Sequence, residues 1–142
     1  MNRNDFQNWA KQSIRLLDGS TGVALSKLKG MGGADVPENF IIQNPDAIIS
    51  LQTEYIESGS DIILTPTLGA SAPMLKTHGL TDCEKINTEL YRLSKKAAAD
   101  KAYVAAEIGP TGQFLAPMGT YSFDDMVDTF KEQVNYALTE NV

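Results

Sequence analysis

The stretch from Gly59 through Asp61-Ile62-Ile63-Leu64-Thr65 constrains the fold more than any other part of the chain. Ahead of it, Asn44-Pro45 is a strong helix start, with Asn as the cap and Pro suited to the first helical position. Ile48, Ile49, Gln52, Tyr55 and Ile56 follow at helical spacing, and Gly59 stops the helix with the residue type that tolerates a left-handed backbone. The continuous branched residues of 61–65 then suit a strand buried on both faces of a parallel sheet. Helix, glycine and buried strand in succession predict an α/β chain.

Two further apolar runs fit the same plan. Ile14 to Leu17, broken only by Arg15, runs out into Asp18-Gly19-Ser20-Thr21-Gly22, and Ala102 to Ile108 carries Glu107 and ends in Gly109-Pro110-Thr111-Gly112. The expectation is therefore parallel strands near 14–18, 61–65 and 102–108. In parallel α/β proteins function collects at strand ends. Asp18 suits either orientation of a substrate amine or action as a base, while Gly19 and Gly22 let a ligand come close to the backbone. An Asp-Gly hairpin turn competes with this reading. Against it, Val23, Ala24, Leu25 and Leu28 recur at helical spacing, so the chain reads strand, loop, helix. Parallel strands would bring Thr65 and Thr67 to the same end as Asp18, with their hydroxyls lining a pocket. Gly-Pro-Thr-Gly is a common turn, and neither glycine loop matches a phosphate-binding pattern.

The remaining segments read as helices and loops. Asp5 to Gln12, with Phe6, Trp9 and Ala10 on one side, predicts a short helix that covers the end of a core, within an N-terminal extension of residues 1–13. Gly30-Met31-Gly32-Gly33-Ala34-Asp35 is too glycine-rich to be regular; a plain surface connection is the more common fate of such a loop, a mobile substrate flap the rarer one. Ser71 is positioned to cap a short helix containing Pro73, Met74 and Leu75, with His78 in the last turn, where a cation suits the helix dipole. Thr81-Asp82-Cys83-Glu84 has the form of a capping box and opens a long helix through Ile86, Leu90, Leu93, Ala97 and Ala98. Cys83 falls in its first turn, where exposure would lower a thiol pKa; with no His or second Cys beside it, an inert thiol is the simpler reading. After a loop over 113–121, Ser122-Phe123-Asp124-Asp125 caps a last helix whose Met126, Val127, Phe130, Val134, Ala137 and Leu138 form an apolar stripe.

Composition narrows the function. The 142 residues are 42% hydrophobic and 21% charged, in the range of one globular domain, with no internal repeat or low-complexity segment. A net charge of -6 and no cluster of Lys or Arg argue against nucleic acid or an anionic membrane as partner, leaving small molecules. No apolar run approaches the roughly 20 residues that span a bilayer, and the polar start Met1-Asn2-Arg3-Asn4-Asp5 has no signal core behind it, so a cytoplasmic location is expected. One cysteine cannot form an internal disulfide or a thiolate zinc site.

Taken together, the strand-end motifs resemble the homocysteine S-methyltransferase family, specifically the N-terminal homocysteine-binding half of bacterial cobalamin-dependent methionine synthases. The pieces are Leu-Leu-Asp18-Gly19-Ser-Thr-Gly22, the Asn44-Pro45 helix leading into Gly59-Ser-Asp61-Ile-Ile-Leu-Thr65-Pro-Thr67-Leu-Gly69-Ala70, Lys76-Thr-His78-Gly79-Leu80, and Ile108-Gly109-Pro110-Thr111-Gly112. They occur in the family's order over nearly the whole chain. The resemblance implies a (β/α)8 barrel in which zinc, held by three cysteine thiolates, binds the homocysteine sulfur and lowers its pKa, so that the thiolate attacks a methyl group on methylcobalamin or, in relatives, on betaine or S-methylmethionine. It also implies that Asp18 and Gly19 grip the amino acid end of homocysteine, with Ser20, Thr65, Thr67 and Glu107 as pocket neighbours. Pro66 and Leu68 depart from the commoner T-N-T-F form.

The family's zinc cysteines lie in a G-x-N-C and a later G-G-C-C-G segment, and neither occurs in this sequence; Cys83 matches none of them. A closed barrel takes about 250 residues, so the sequence reads as a single portion, 1–142, comprising the first three βα units of a partial barrel. The expectation is a homocysteine-binding piece, inactive alone and without bound cofactor. It would be completed by the C-terminal half and a corrinoid protein or domain. A non-catalytic half-barrel that assembles through its open edges is the alternative.

Overall fold

The computed structural model describes residues 2–27 and 36–142. Leu28 and the Gly30–Asp35 segment lie outside the described residues. The elements run α1 (Arg3–Gln12), α2 (Thr21–Leu25), α3 (Pro37–Gln43), α4 (Pro45–Glu57), β1 (Ile62–Leu64), α5 (Ala72–Thr77), α6 (Cys83–Ala98), β2 (Tyr103–Ala105) and α7 (Phe123–Thr139).

β1 and β2 pair in parallel, with Ile62 opposite Tyr103, Ile63 opposite Val104 and Leu64 opposite Ala105. The 14–18 segment joins the other edge of β1 through a single parallel bridge, Leu17 to Ile62. Its ladder consists of the Asp18 N–H donating to the Ile62 carbonyl and the Leu16 carbonyl accepting from Ile62, at 3.0 and 3.1 Å. Two of the three expected strands are thus present as parallel neighbours, shorter than the sequence suggested, and the third is reduced to one parallel bridge. Ile62, Ile63 and Thr65 are buried as the 61–65 pattern predicts, whereas the 14–18 run is not. Ile14 is 88% exposed, and Leu16 and Leu17 are more than half exposed, because among the described residues this segment has a neighbour on one side only.

One face of the sheet carries the core. Ile63 packs against Ala97 and Ala98 of α6, with Ile49 and Ile56 of α4 and Val104 alongside. A larger cluster of Leu25, Ile41, Ile48, Leu75, Ile86 and Leu90 lies among the helices. Period-two alternation sends Ile62 and Tyr103 to the opposite face. There they border a groove of about 970 Å3 with Leu17, Ala105 and Phe6 rather than a second packed layer. Gln52 sits fully buried on α4 and donates to the Leu64 carbonyl at 2.8 Å, fixing helix to strand end.

Several local expectations change in mechanism. Asn44 occupies the cap position of α4, but its amide donates to the Phe40 carbonyl at 3.0 Å instead of capping, because Asn44 also closes α3. α3 itself was not expected. The cap of α6 is Asp82, whose carboxylate accepts from the Lys85 amide, so the helix starts one residue later than a Thr81 box requires. Ser71 stands at the head of α5 without a side-chain cap bond. Ser122 does cap α7, in a reciprocal box with Asp125. α7 buries Thr129, Gln133 and Ala137, whereas Val134 and Leu138 of the anticipated apolar stripe are exposed, Leu138 by 66%. Gly59 follows α4 with φ of +107°, the left-handed turn that glycine permits.

No residue of α1 is buried, so it docks lightly rather than plugging a core. Trp9 meets the Tyr103 ring edge-on at 4.7 Å, and the Arg15 guanidinium stacks 4.0 Å from the Trp9 ring while donating to its carbonyl. Arg15 also pairs with Asp61 at 3.3 Å. These contacts sit at the start of the strands, the end opposite Asp18. No helix among the described residues is long and apolar enough to cross a membrane.

Candidate active site

Asp18 follows the Leu17 bridge, Thr65 follows β1, and Glu107 lies two residues beyond β2, so parallel pairing brings all three to one end of the sheet. A pocket of about 710 Å3 opens there, bordered by Asp18, Gly19, Ser20, Glu38, Leu68, Gly69, Met74, His78 and Glu107. Among the described lining residues there is no lysine or arginine.

Asp18 is half-buried. Its Oδ2 accepts the Leu64 amide at 3.1 Å, and Oδ1 is buried without a partner among the described residues. Burial pushes the Asp18 carboxyl above its ordinary range, opposed by the hydrogen bond from Leu64. Gly19 lies under Tyr55: a β-carbon there would come within 2.9 Å of the ring and hydroxyl. Ser20 caps α2 by accepting from the Val23 amide at 3.4 Å, so its hydroxyl has a structural task at the pocket rim. Among the described residues nothing lies within 4 Å of a β-carbon placed at Gly22.

The two threonines are placed differently from expectation. Both are fully buried, and their hydroxyls do not line the pocket. The Thr67 hydroxyl donates to the Glu107 carbonyl at 2.7 Å, while the Glu107 amide donates to Thr65 Oγ1 at 3.0 Å. With the Thr67 proton so used, Thr65 must donate across the 2.7 Å contact to Thr67. Pairing one hydroxyl with the next satisfies these buried polar groups without water and clamps the Glu107 backbone from behind.

Glu107 is held above its ordinary carboxylate range by burial and then by the negative charges of Asp18 and Glu38. Glu38 was missed in the sequence. It is 4% exposed, and its Oε1 accepts the Gly69 amide at 2.7 Å. The only signal for it was Val36-Pro37-Glu38, a proline followed by an acid at a helix start. His78, the C-cap residue just after α5, is exposed at the pocket edge. Three carboxylates from separate segments therefore border one partly buried pocket, an arrangement that attracts a primary ammonium group or takes up a proton.

Cys83 stands apart from this chemistry. It is buried, with its thiol 3.4 Å from the Ala70 carbonyl. Among the described residues no group of three or more His, Cys, Asp or Glu is arranged to hold a metal.

The sequence profile of the homocysteine S-methyltransferase family matches residues 15–142. The chain belongs to the homocysteine S-methyltransferase family. It is 30% identical over 98 residues to homocysteine S-methyltransferase 1 of Arabidopsis thaliana, covering 58% of this chain and 30% of that protein. To the protein of the same name from Brassica oleracea var. italica it is 27% identical over 112 residues, 65% of this chain and 34% of the relative. The fold is shared with the homocysteine methyltransferase MmuM from Escherichia coli. The metallated form gives a TM-score of 0.77 at 20% identity, with 95% of this chain and 54% of that one covered. The oxidized form gives 0.77 at 22% identity, with coverage of 98% and 54%. The chain thus spans about a third of the length of the curated relatives and about half that of the solved structures.

Proposed function

We propose that this chain is the homocysteine-holding portion of a homocysteine S-methyltransferase barrel and that its pocket receives the amino acid end of the substrate. The observation that carries this reading is the convergence of Asp18 and Glu107 at one strand end in a pocket whose described lining residues include no lysine or arginine. Asp18 Oδ1, buried and without a hydrogen-bond partner among the described residues, meets the substrate ammonium; the Gly19 backbone lies beside it, and Ser20 shapes the rim. Thr65 and Thr67 act indirectly by holding Glu107. In the complete enzyme the homocysteine thiolate would take a methyl group to give methionine, with methylcobalamin as donor, or betaine or S-methylmethionine in its place.

The zinc implied by the family does not fit the residues described here. Cys83 is buried away from the pocket, and no metal-holding group accompanies it. No step is therefore assigned to a metal, and the role proposed for this chain is binding and orientation. Calorimetric titration of the 142-residue chain with L-homocysteine tests the reading. Saturable binding that weakens about tenfold or more in Asp18→Ala supports it, and absence of binding overturns it.

A second reading, assembly through open edges, draws on the bare groove beside Tyr103 and on exposed Phe123, Val134 and Leu138 of α7. Light scattering decides it: a monomer across the accessible concentration range would rule self-association out.

A further inference from the structure

The pocket contains one charged group that the proposed reading leaves unused. Glu38 is 4% exposed and is carried by α3 to the wall formed by Gly69. Its Oε1 accepts the Gly69 amide, and its buried Oε2 has no hydrogen-bond partner among the described residues. Gly69 is fitted to this carboxylate, since a β-carbon there would lie 2.8 Å from Oε1 and 3.3 Å from Oε2.

Anchoring the Gly69 amide takes one acceptor. A neutral amide side chain supplies one as well, without a buried charge. A carboxylate brings a second oxygen that must be desolvated, and it brings a negative charge into a pocket that already holds two. Glu107 registers both neighbours, Asp18 and Glu38. Such an arrangement destabilises the empty pocket and is relieved by a bound cation. The count of groups also matches. A primary ammonium has three N–H donors. After the bonds to Leu64 and Gly69 are made, Asp18 keeps Oδ1 and Glu38 keeps Oε2, and the Glu107 carboxylate makes no hydrogen bond among the described residues.

We propose that Glu38 is a ligand-binding residue of this pocket, receiving the substrate's primary ammonium together with Asp18 and Glu107 and so making the site select for an amine. The proposal rests on the homocysteine reading above and adds a residue and a selectivity to it. A ligand of the same length and thiol but lacking the amine, 4-mercaptobutanoate, gains nothing from Glu38 and meets three carboxylates with its own.

The test compares L-homocysteine with 4-mercaptobutanoate on the full chain and on Glu38→Gln, which retains an acceptor for the Gly69 amide. Calorimetry should give tighter binding of homocysteine by the wild type, and a loss of about tenfold or more in Glu38→Gln for homocysteine alone. Equal affinities in wild type and variant, or equal losses for both ligands, would overturn the proposal while leaving the homocysteine reading intact. Failure of the wild type to bind homocysteine would overturn both. A measurement on the wild type guards against a variant that does not fold. The side-chain carboxyl 13C resonance of Glu38 should shift with homocysteine and stay in place with 4-mercaptobutanoate, and a silent resonance in the presence of bound homocysteine overturns the proposal.

Discussion

The carboxylate of Asp18 accepts the backbone N–H of Leu64 at 3.1 Å, while the Asp18 amide donates to the carbonyl of Ile62, two residues earlier on the same strand. One side chain thereby extends the sheet by a rung beyond the single Leu17 bridge and still leaves Oδ1 without a partner among the described residues. The two functions separate by substitution. Asp18→Asn keeps an oxygen for Leu64 and should fold with little loss, whereas Asp18→Ala strands a partly buried amide at a cost of about 1–3 kcal/mol. Both should weaken homocysteine binding. Urea unfolding and calorimetry on the two variants measure the separation, and equal stability of Asn and Ala forms would refute it.

Glu107 makes the pocket's charge visible in stability. Burial, Asp18 and Glu38 raise its pKa above the ordinary 4.5. A carboxyl raised on folding binds its proton more tightly in the folded chain, so the stability it contributes is fully present below the unfolded pKa. That stability is lost as pH rises through the folded value. Asp18 is shifted in the same direction by burial. Asp125, lowered by its bonds with Ser122, runs the opposite way: its contribution is present above the unfolded pKa and lost as pH falls through the folded one. Glu107→Gln should therefore raise Tm relative to wild type at pH 7, with the difference shrinking toward pH 4. A difference that stays constant across that range would contradict the assignment.

Three glycines near the strand ends differ in what surrounds them. A β-carbon at Gly109 would lie 2.1 Å from the Leu68 carbonyl oxygen, a backbone atom that cannot rotate away. At Gly19 the obstacle is the Tyr55 ring at 2.9 Å, and at Gly22 nothing among the described residues lies within 4 Å. Gly109→Ala should cost about 1–3 kcal/mol or more by overpacking. Gly22→Ala, inside α2, should instead add roughly 0.5–1 kcal/mol through helix propensity. Thermal unfolding of the pair checks the contrast in sign.

What the sequence revealed divides along physical lines. The Pro45 helix start, the Gly59 stop, the Ser122 cap and the strand ends at Asp18 and Glu107 were readable because each depends on local backbone chemistry or on a continuous apolar run. α3 and Glu38 were not, since Pro37-Glu38 adjoins a glycine-rich stretch and the importance of Glu38 arises from Gly69, thirty-one residues away. The threonines were assigned to the right end of the sheet but to the wrong surface. Periodicity cannot tell that Thr65 and Thr67 turn inward onto the Glu107 backbone. The exposure of Leu17 and Leu138 was equally illegible, because an apolar pattern specifies a face to be covered and not whether these residues cover it. The strands at 14–18 and 102–108 shortened to a bridge and to Tyr103–Ala105 for the same reason: propensity marks the run, and pairing sets its length.

Cys83 provides a test of whether this part of the fold is sealed. Its thiol faces the Ala70 carbonyl, and Asn87 donates to that carbonyl and to the Cys83 carbonyl at 2.8 Å each, joining α6 to the loop beyond β1. Burial, with a smaller effect from Glu132, pushes the thiol up to about 12, against a partial opposing effect of the Asn87 hydrogen bond. The helix N-terminus therefore fails to activate it, because the sulfur is desolvated before the dipole can act on a thiolate. At pH 8 a disulfide reagent should label almost none of the native chain and one thiol per chain in denaturant, the sequence holding a single cysteine. The linked stability is present below the ordinary thiol value of 9.0 and is lost as pH rises from there toward 12. Rapid native labelling at pH 8 would mean that α6 opens at its first turn and that the Ala70 loop, with the pocket wall next to it at Gly69, is not held as described.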